Sequence, residues 1–257
     1  MKSLISAVAL CGLASAASAT TLNLTFDGFG AGVDIRLNYV QTANFAAAGR
    51  TGGSIIKAKE HKFTDTSTSR QMRNYCVQIF ESVSPGNTYA YNEVSINDVP
   101  DYPPGPGPMG ALRGALMRNL YARFYNQVED GTDTTKCAAF ALLVWEISHE
   151  NFGGAGATAT DVLNSGALNV TLGAFQASIS GSDNYITGVP QGLAVSQAQS
   201  WIASMVADSA NLRGRGIYGL TNPTAQDHIG VTVPVPAPAI LAGLGLVGAV
   251  SGRRRSR

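Results

Sequence analysis

The hydrophobic period of this chain switches from two to four between residues 96 and 112, and a chain that does this cannot be all strand or all helix. Segments 22–26 (LNLTF) and 33–40 (VDIRLNYV) alternate apolar and polar residues, as half-buried strands do. The glycine-rich link 28–32 between them predicts a hairpin turn. Further strands are expected at 54–63, at 75–81 and, after the turn Ser84-Pro85-Gly86-Asn87, at 87–96. Five prolines and two glycines then break any regular structure over 98–108. Beyond them Leu112, Leu116, Leu120, Phe124 and Val128 recur every four residues, one face of an amphipathic helix. Asp130-Gly131 ends it, and Thr132, Asp133 and Thr134 offer caps for a second helix over 136–148. That helix is apolar around most of its circumference and is expected to be deeply buried. Two helices with a short loop make an αα-hairpin. A strand at 168–179, a helix at 196–208 and strands at 217–220 and 228–233 follow. The fold class expected is α+β: a β-sandwich or small barrel carrying a helical insertion at about 109–150 and one later helix.

The two ends read differently. Met1-Lys2, the apolar stretch 4–13 and the small residues Ala17-Ser18-Ala19 predict a secretory signal over 1–19, cut between Ala19 and Thr20. At the other end Val233, Pro234, Val235, Pro236 and Ala237 lead into an apolar run that stops at Arg253, Arg254 and Arg255. The prolines keep the backbone extended, the apolar run can enter a bilayer, and the arginines stay on the cytoplasmic side. This combination over 233–257 resembles the PEP-CTERM class of bacterial sorting tails in its VPLPA-type variant, with Val235 where Leu is usual. The resemblance implies a short transmembrane helix at 239–252 and cleavage near the prolines by an exosortase-type membrane enzyme. It also implies a transient stay in the inner membrane and a final place on the cell surface, outer envelope or extracellular matrix of a Gram-negative bacterium.

Five of the 18 basic residues lie in these two segments, which hold no Asp or Glu. The expected exported domain, 20–232, therefore carries 13 basic and 17 acidic residues, a balance that argues against nucleic acid as a partner. The histidines His61, His149 and His228 are isolated, and no Cys-x-x-Cys or His-x-x-x-His pair occurs. Neither a metal site nor a cofactor is expected.

Asn74-Tyr75-Cys76-Val77-Gln78 places a cysteine on an expected strand, and Ala138 to Ile147 places Val144-Trp145 on the second helix. With the late segment Tyr218-Gly219-Leu220-Thr221-Asn222-Pro223, these resemble, in order, the thioester domain of bacterial surface proteins and its relatives among PEP-CTERM proteins. In that family a Tyr-Cys strand faces a helix bearing Gln-x-Ala-Ile/Val-Trp, and the cysteine sulfur condenses with the glutamine amide to form an acyl donor. Cys76 matches the cysteine. Counting back from Trp145, the glutamine's place is taken by Ala141, and a methyl group cannot be acylated. The resemblance therefore implies the fold and setting without the thioester. Cys137 lies one helical turn before Ala141. Cys76 and Cys137 are the two cysteines of the exported part, and export leads to an oxidising compartment, so a Cys76–Cys137 disulfide is expected in place of the thioester.

Other constellations are weaker. Glu146, His149 and Glu150 could form a carboxylate–histidine base, although a histidine in a last helical turn also complements the helix dipole. Asp227-His228 suggests a triad fragment, but no Gly-x-Ser-x-Gly elbow accompanies it. Tyr89, Tyr91, Tyr102, Tyr121 and Tyr125 could line a sugar-binding face or simply pack. The function expected is a non-enzymatic surface or matrix protein that works by binding or structurally, with an extracellular polysaccharide or surface component as partner. The alternatives are a secreted carbohydrate-active enzyme using Glu146 and Glu150, and a covalent adhesin with another acyl donor.

Overall fold

A computed structural model describes residues 20–40, 55–101, 107–150, 152–153, 156–177 and 191–231, without the side chains of 38–40. The expected signal 1–19, the tail with its 239–252 span, and Tyr102 lie outside the described residues. Among the described residues no helix is long and apolar enough to cross a membrane.

The domain is α+β. Its strands are β1 (Thr21–Val40), β2 (Ile55–Asp65), β3 (Gln71–Cys76), β4 (Thr88–Ser95), β5 (Phe175–Ala177), β6 (Ile217–Thr221) and β7 (His228–Val231). Its helices are α1 (Gly110–Phe124), α2 (Thr134–His149), α3 (Ala159–Ser165) and α4 (Gln191–Ala207). The strand pairings are antiparallel and run β1–β2–β3–β7–β6–β4 and back to β1, so six strands close into a barrel. Closure removes the open edges that an isolated sheet would expose. β5 pairs with the far end of β1, from Leu37 to Val40.

Closure depends on the length of β1, whose first residues pair with β4 while Leu24–Arg36 pairs with β2. The segment 28–32 is therefore not a hairpin turn. It is a pair of irregularities in one continuous strand, with register shifts at Phe26/Gly28 and Phe29/Gly32. Gly28 and Gly32 hold φ of 132° and 144°, where a side chain is strained. Each extra residue changes which face of the strand looks inward. Leu24 and Phe26 join a cluster inside the barrel with Phe63, Met72, Tyr91 and Leu220. Val33, Ile35 and Leu37, past the bulges, join the larger cluster beneath the helices.

That larger core is organised by α2, in which every residue from Cys137 to His149 is buried. Asp133 caps it, its carboxylate accepting from Lys136 N at 2.9 Å. The Phe140 ring meets those of Tyr75, Tyr121 and Trp201, and Trp201 of α4 stacks on Phe124 of α1 with centroids 4.7 Å apart. Gln191 fastens the start of α4 to β1 by accepting from Arg36 N and donating to Arg36 O.

Two expected strands differ, and one helix is additional. The strand at 75–81 lies earlier, at Gln71–Cys76, because the ladder with β2 ends at His61↔Asn74 and that with β7 at Cys76↔His228. The strand at 168–179 shrinks to Phe175–Ala177. α3 was not expected, although Thr158 and Asp161 form a capping box that its sequence spacing permits.

Candidate functional site

Cys76 ends β3 at 2% exposure, and its cross-strand partner is His228. The Trp145 indole from α2 adjoins the thiol and favours its thiolate somewhat, but burial dominates and pushes the pKa up to about 12. The indole N–H itself is buried without a hydrogen bond of ordinary geometry. A thiol in such surroundings stays protonated and is a poor nucleophile. Just beyond Cys76, Ser148 Oγ donates to Val77 O at 2.8 Å, tying α2 to the chain that leaves the barrel. Ala141 is buried on α2, between the turns that carry Cys137 and Trp145.

The expected Cys76–Cys137 disulfide is not formed: both residues are buried free thiols. Side-chain placement is the reason. Cys137 adjoins the Tyr75 hydroxyl and its Sγ reaches Val128 O at 3.8 Å, whereas Cys76 adjoins Trp145, two turns further along α2. Successive residues of a strand point to opposite faces, so Tyr75 and Cys76 present themselves to different parts of the helix layer. Burial also raises the Cys137 pKa, to about 11.

Beside this thiol the barrel holds a histidine pair. His61 Nδ1 and His228 Nε2 lie 2.8 Å apart, enclosed by the rings of Phe26, Phe63 and Tyr91. Burial lowers the His61 pKa to about 3 and that of His228 well below its ordinary value, the latter also through His61 itself. Both rings are neutral at pH 7. The two residues are 167 positions apart, and each looked isolated in the sequence. A cleft of about 280 Å³ reaches this end of the barrel, with His61, Trp145, Glu81 and Gln226 on its walls.

The acidic candidates serve the backbone. Glu146 and Glu150 are both buried. Glu146 Oε1 accepts from Asn169 N at 2.7 Å, and Glu150 Oε2 accepts from Ala174 N. They hold the loop that leads into β5, which is why that segment bends around α2 rather than extending as a strand. Burial raises the Glu146 pKa well above the carboxylate range and lowers that of His149 to about 3. His149 Nδ1 faces Ser148 Oγ and Trp145 O. Asp227 accepts from Asp101 N and Asn222 N and has its pKa raised to about 7 by burial, while its neighbour His228 turns to His61. Asp227-His228 is thus no triad fragment. Tyr91 and Tyr121 are core, half-buried Tyr89 packs against Tyr91, and Tyr125 stacks on Tyr121 and borders another cleft. Among the described residues no group of three or more His, Cys, Asp or Glu is placed to hold a metal ion.

No protein-family model matches the chain, and neither a curated protein nor a solved structure does so.

Proposed function

We propose that this chain is an exported cell-surface or extracellular-matrix protein that acts by binding rather than by catalysis. In this reading 1–19 direct export, an exosortase-type enzyme processes the chain at 233–237, and Arg253–Arg255 hold the tail at the inner membrane until then. The domain 20–232 is a thioester-like barrel without its acyl donor. The observation that carries the binding reading is the state of Cys76: its thiol is protonated and packed against Trp145, and the position assigned to the donor is the methyl group of Ala141. The carbohydrate-active alternative loses support from Glu146 and Glu150, whose carboxylates are engaged with backbone N–H groups.

The sorting part is tested by the mass of the protein recovered from the envelope or medium. The expected species begins at Thr20 and ends within 233–237. A recovered species that keeps 239–257 contradicts processing at the proline stretch.

A further inference from the structure

The barrel is closed unevenly. β3 pairs with β2 from Gln71 to Asn74, but its ladder to β7 contains only Tyr75 and Cys76. The first half of β3 is thereby separated from β6, β7 and the end of α1, and a cleft of about 590 Å³ occupies the seam. It lies apart from Cys76, which is not among its lining residues.

Its walls are rich in donors. Arg70, Arg73 and Arg215 all border it, against one carboxylate, Glu129. Arg73 is held from behind, since its Nη1 donates to both oxygens of Glu60, which is 1% exposed. Glycines pack close to that ion pair: Gly30 lies against the Glu60 carboxylate and Gly131, with φ of 63°, against Arg73. The guanidinium is thus fixed through one nitrogen, and its remaining N–H groups have no acceptor among the described residues. Arg215 lies over the Tyr125 ring, 4.7 Å from its centroid, and 3.7 Å from Glu129. The guanidinium of Arg70 has no acceptor among the described residues. Asn74 also borders the cleft, but its side chain is buried on the face of β3 that it shares with its cross-strand partner His61.

The cleft also has aromatic walls. Tyr218 lies across β7 at Gly230, where any Cβ would strike its ring. Tyr125 stands on another wall. Ring faces take up the apolar face of a flat ligand, and guanidinium forks match planar carboxylates.

We propose that this seam cleft binds a carboxylate-bearing saccharide, with Arg70, Arg73 and Arg215 pairing its acid groups and Tyr125 and Tyr218 flanking the sugar face. A duplex nucleic acid fits less well, because it carries a charge every ~1.7 Å of axis, more than three guanidinium groups around one cleft can pair. The proposal supplies the partner that the binding reading leaves open, and it rests on that reading only for the polymer being met outside the cell.

The test is calorimetric titration of the purified full chain with trigalacturonate, neutral galactotriose, hexaglutamate and a short single-stranded oligonucleotide. The expected result is binding of trigalacturonate alone, weakened about tenfold by Arg70→Gln with no change in melting temperature. Tyr218→Ala, which leaves every ion pair in place, should weaken binding as well. Equal binding of galactotriose, tighter binding of hexaglutamate or the oligonucleotide, insensitivity to Arg70→Gln, or no binding of any probe overturns the assignment. In that event a chain correctly trimmed at both ends still upholds the export reading, whereas untrimmed chain that binds trigalacturonate upholds the cleft and overturns export.

Discussion

His61 and His228 meet inside the barrel with Nδ1 and Nε2 2.8 Å apart, and the described residues place no charged partner on either ring. Both pKa values lie below the ordinary value near 6.5, so the folded state keeps the rings neutral where the unfolded chain takes up protons. Their contribution is therefore complete above pH ~6.5 and is lost as pH falls toward 3, at roughly 1.4 kcal/mol per pH unit for each ring. Glu146 and Asp227, raised by burial, act in the opposite sense and weaken the fold as pH rises from about 4. Melting curves from pH 4.5 to 7.5 should show a steeper acid loss for the native protein than for the double variant His61→Leu/His228→Leu. Parallel curves for the two proteins would show that the pair does not govern acid stability.

The two thiols give a second expectation. Cys76 and Cys137 are buried, with pKa values pushed up to about 12 and 11. Neither should react with iodoacetamide at pH 8 in the folded protein, and both should react in denaturant without any reductant. Rapid labelling of the folded protein, or labelling that requires a reductant, contradicts the arrangement.

Glu146 is buried, its pKa raised by that burial, and one of its oxygens accepts from Asn169 N. Glu146→Gln keeps an acceptor there and should cost less than about 1 kcal/mol, whereas Glu146→Ala strands the Asn169 N–H and leaves a cavity, costing roughly 2–4 kcal/mol. Urea unfolding of both variants measures this. Equal losses would mean that the hydrogen bond contributes nothing.

The bulges in β1 make a fourth. A Cβ at Gly32 would collide with the Ala58 carbonyl at a φ of 144°, while one at Gly28, with φ 132°, meets open space. Gly32→Ala should therefore cost about 2 kcal/mol more than Gly28→Ala in the same unfolding assay.

These positions also mark what sequence reasoning reaches. The buried helix was legible because Asp133 caps it and its apolar residues cover its circumference; 136–148 was expected and Thr134–His149 is found. The run 28–32 misled because glycines with positive φ serve a hairpin turn and a bulge equally, and only the partner strand decides between them. The strand expected at 168–179 failed because Glu146 and Glu150, on another element, claim its backbone N–H groups. At the candidate site, Cys76 and Trp145 were set against each other only by the resemblance to the thioester domain, and no spacing in the sequence pairs them. The separation of Cys76 from Cys137 was not legible, since it depends on which face of β3 each side chain leaves. The His61–His228 contact and the seam cleft arise from closure of the barrel, which no local pattern encodes.

Cys76 is a buried free thiol against Trp145, and the intact mass of the purified protein shows whether it carries an acyl bond. The expected mass is that of a chain with the Cys76 and Cys137 thiols both free, unchanged by methylamine and unchanged by reduction. A mass lower by one ammonia, converted to an amine adduct by methylamine, would contradict it and make the protein a covalent adhesin.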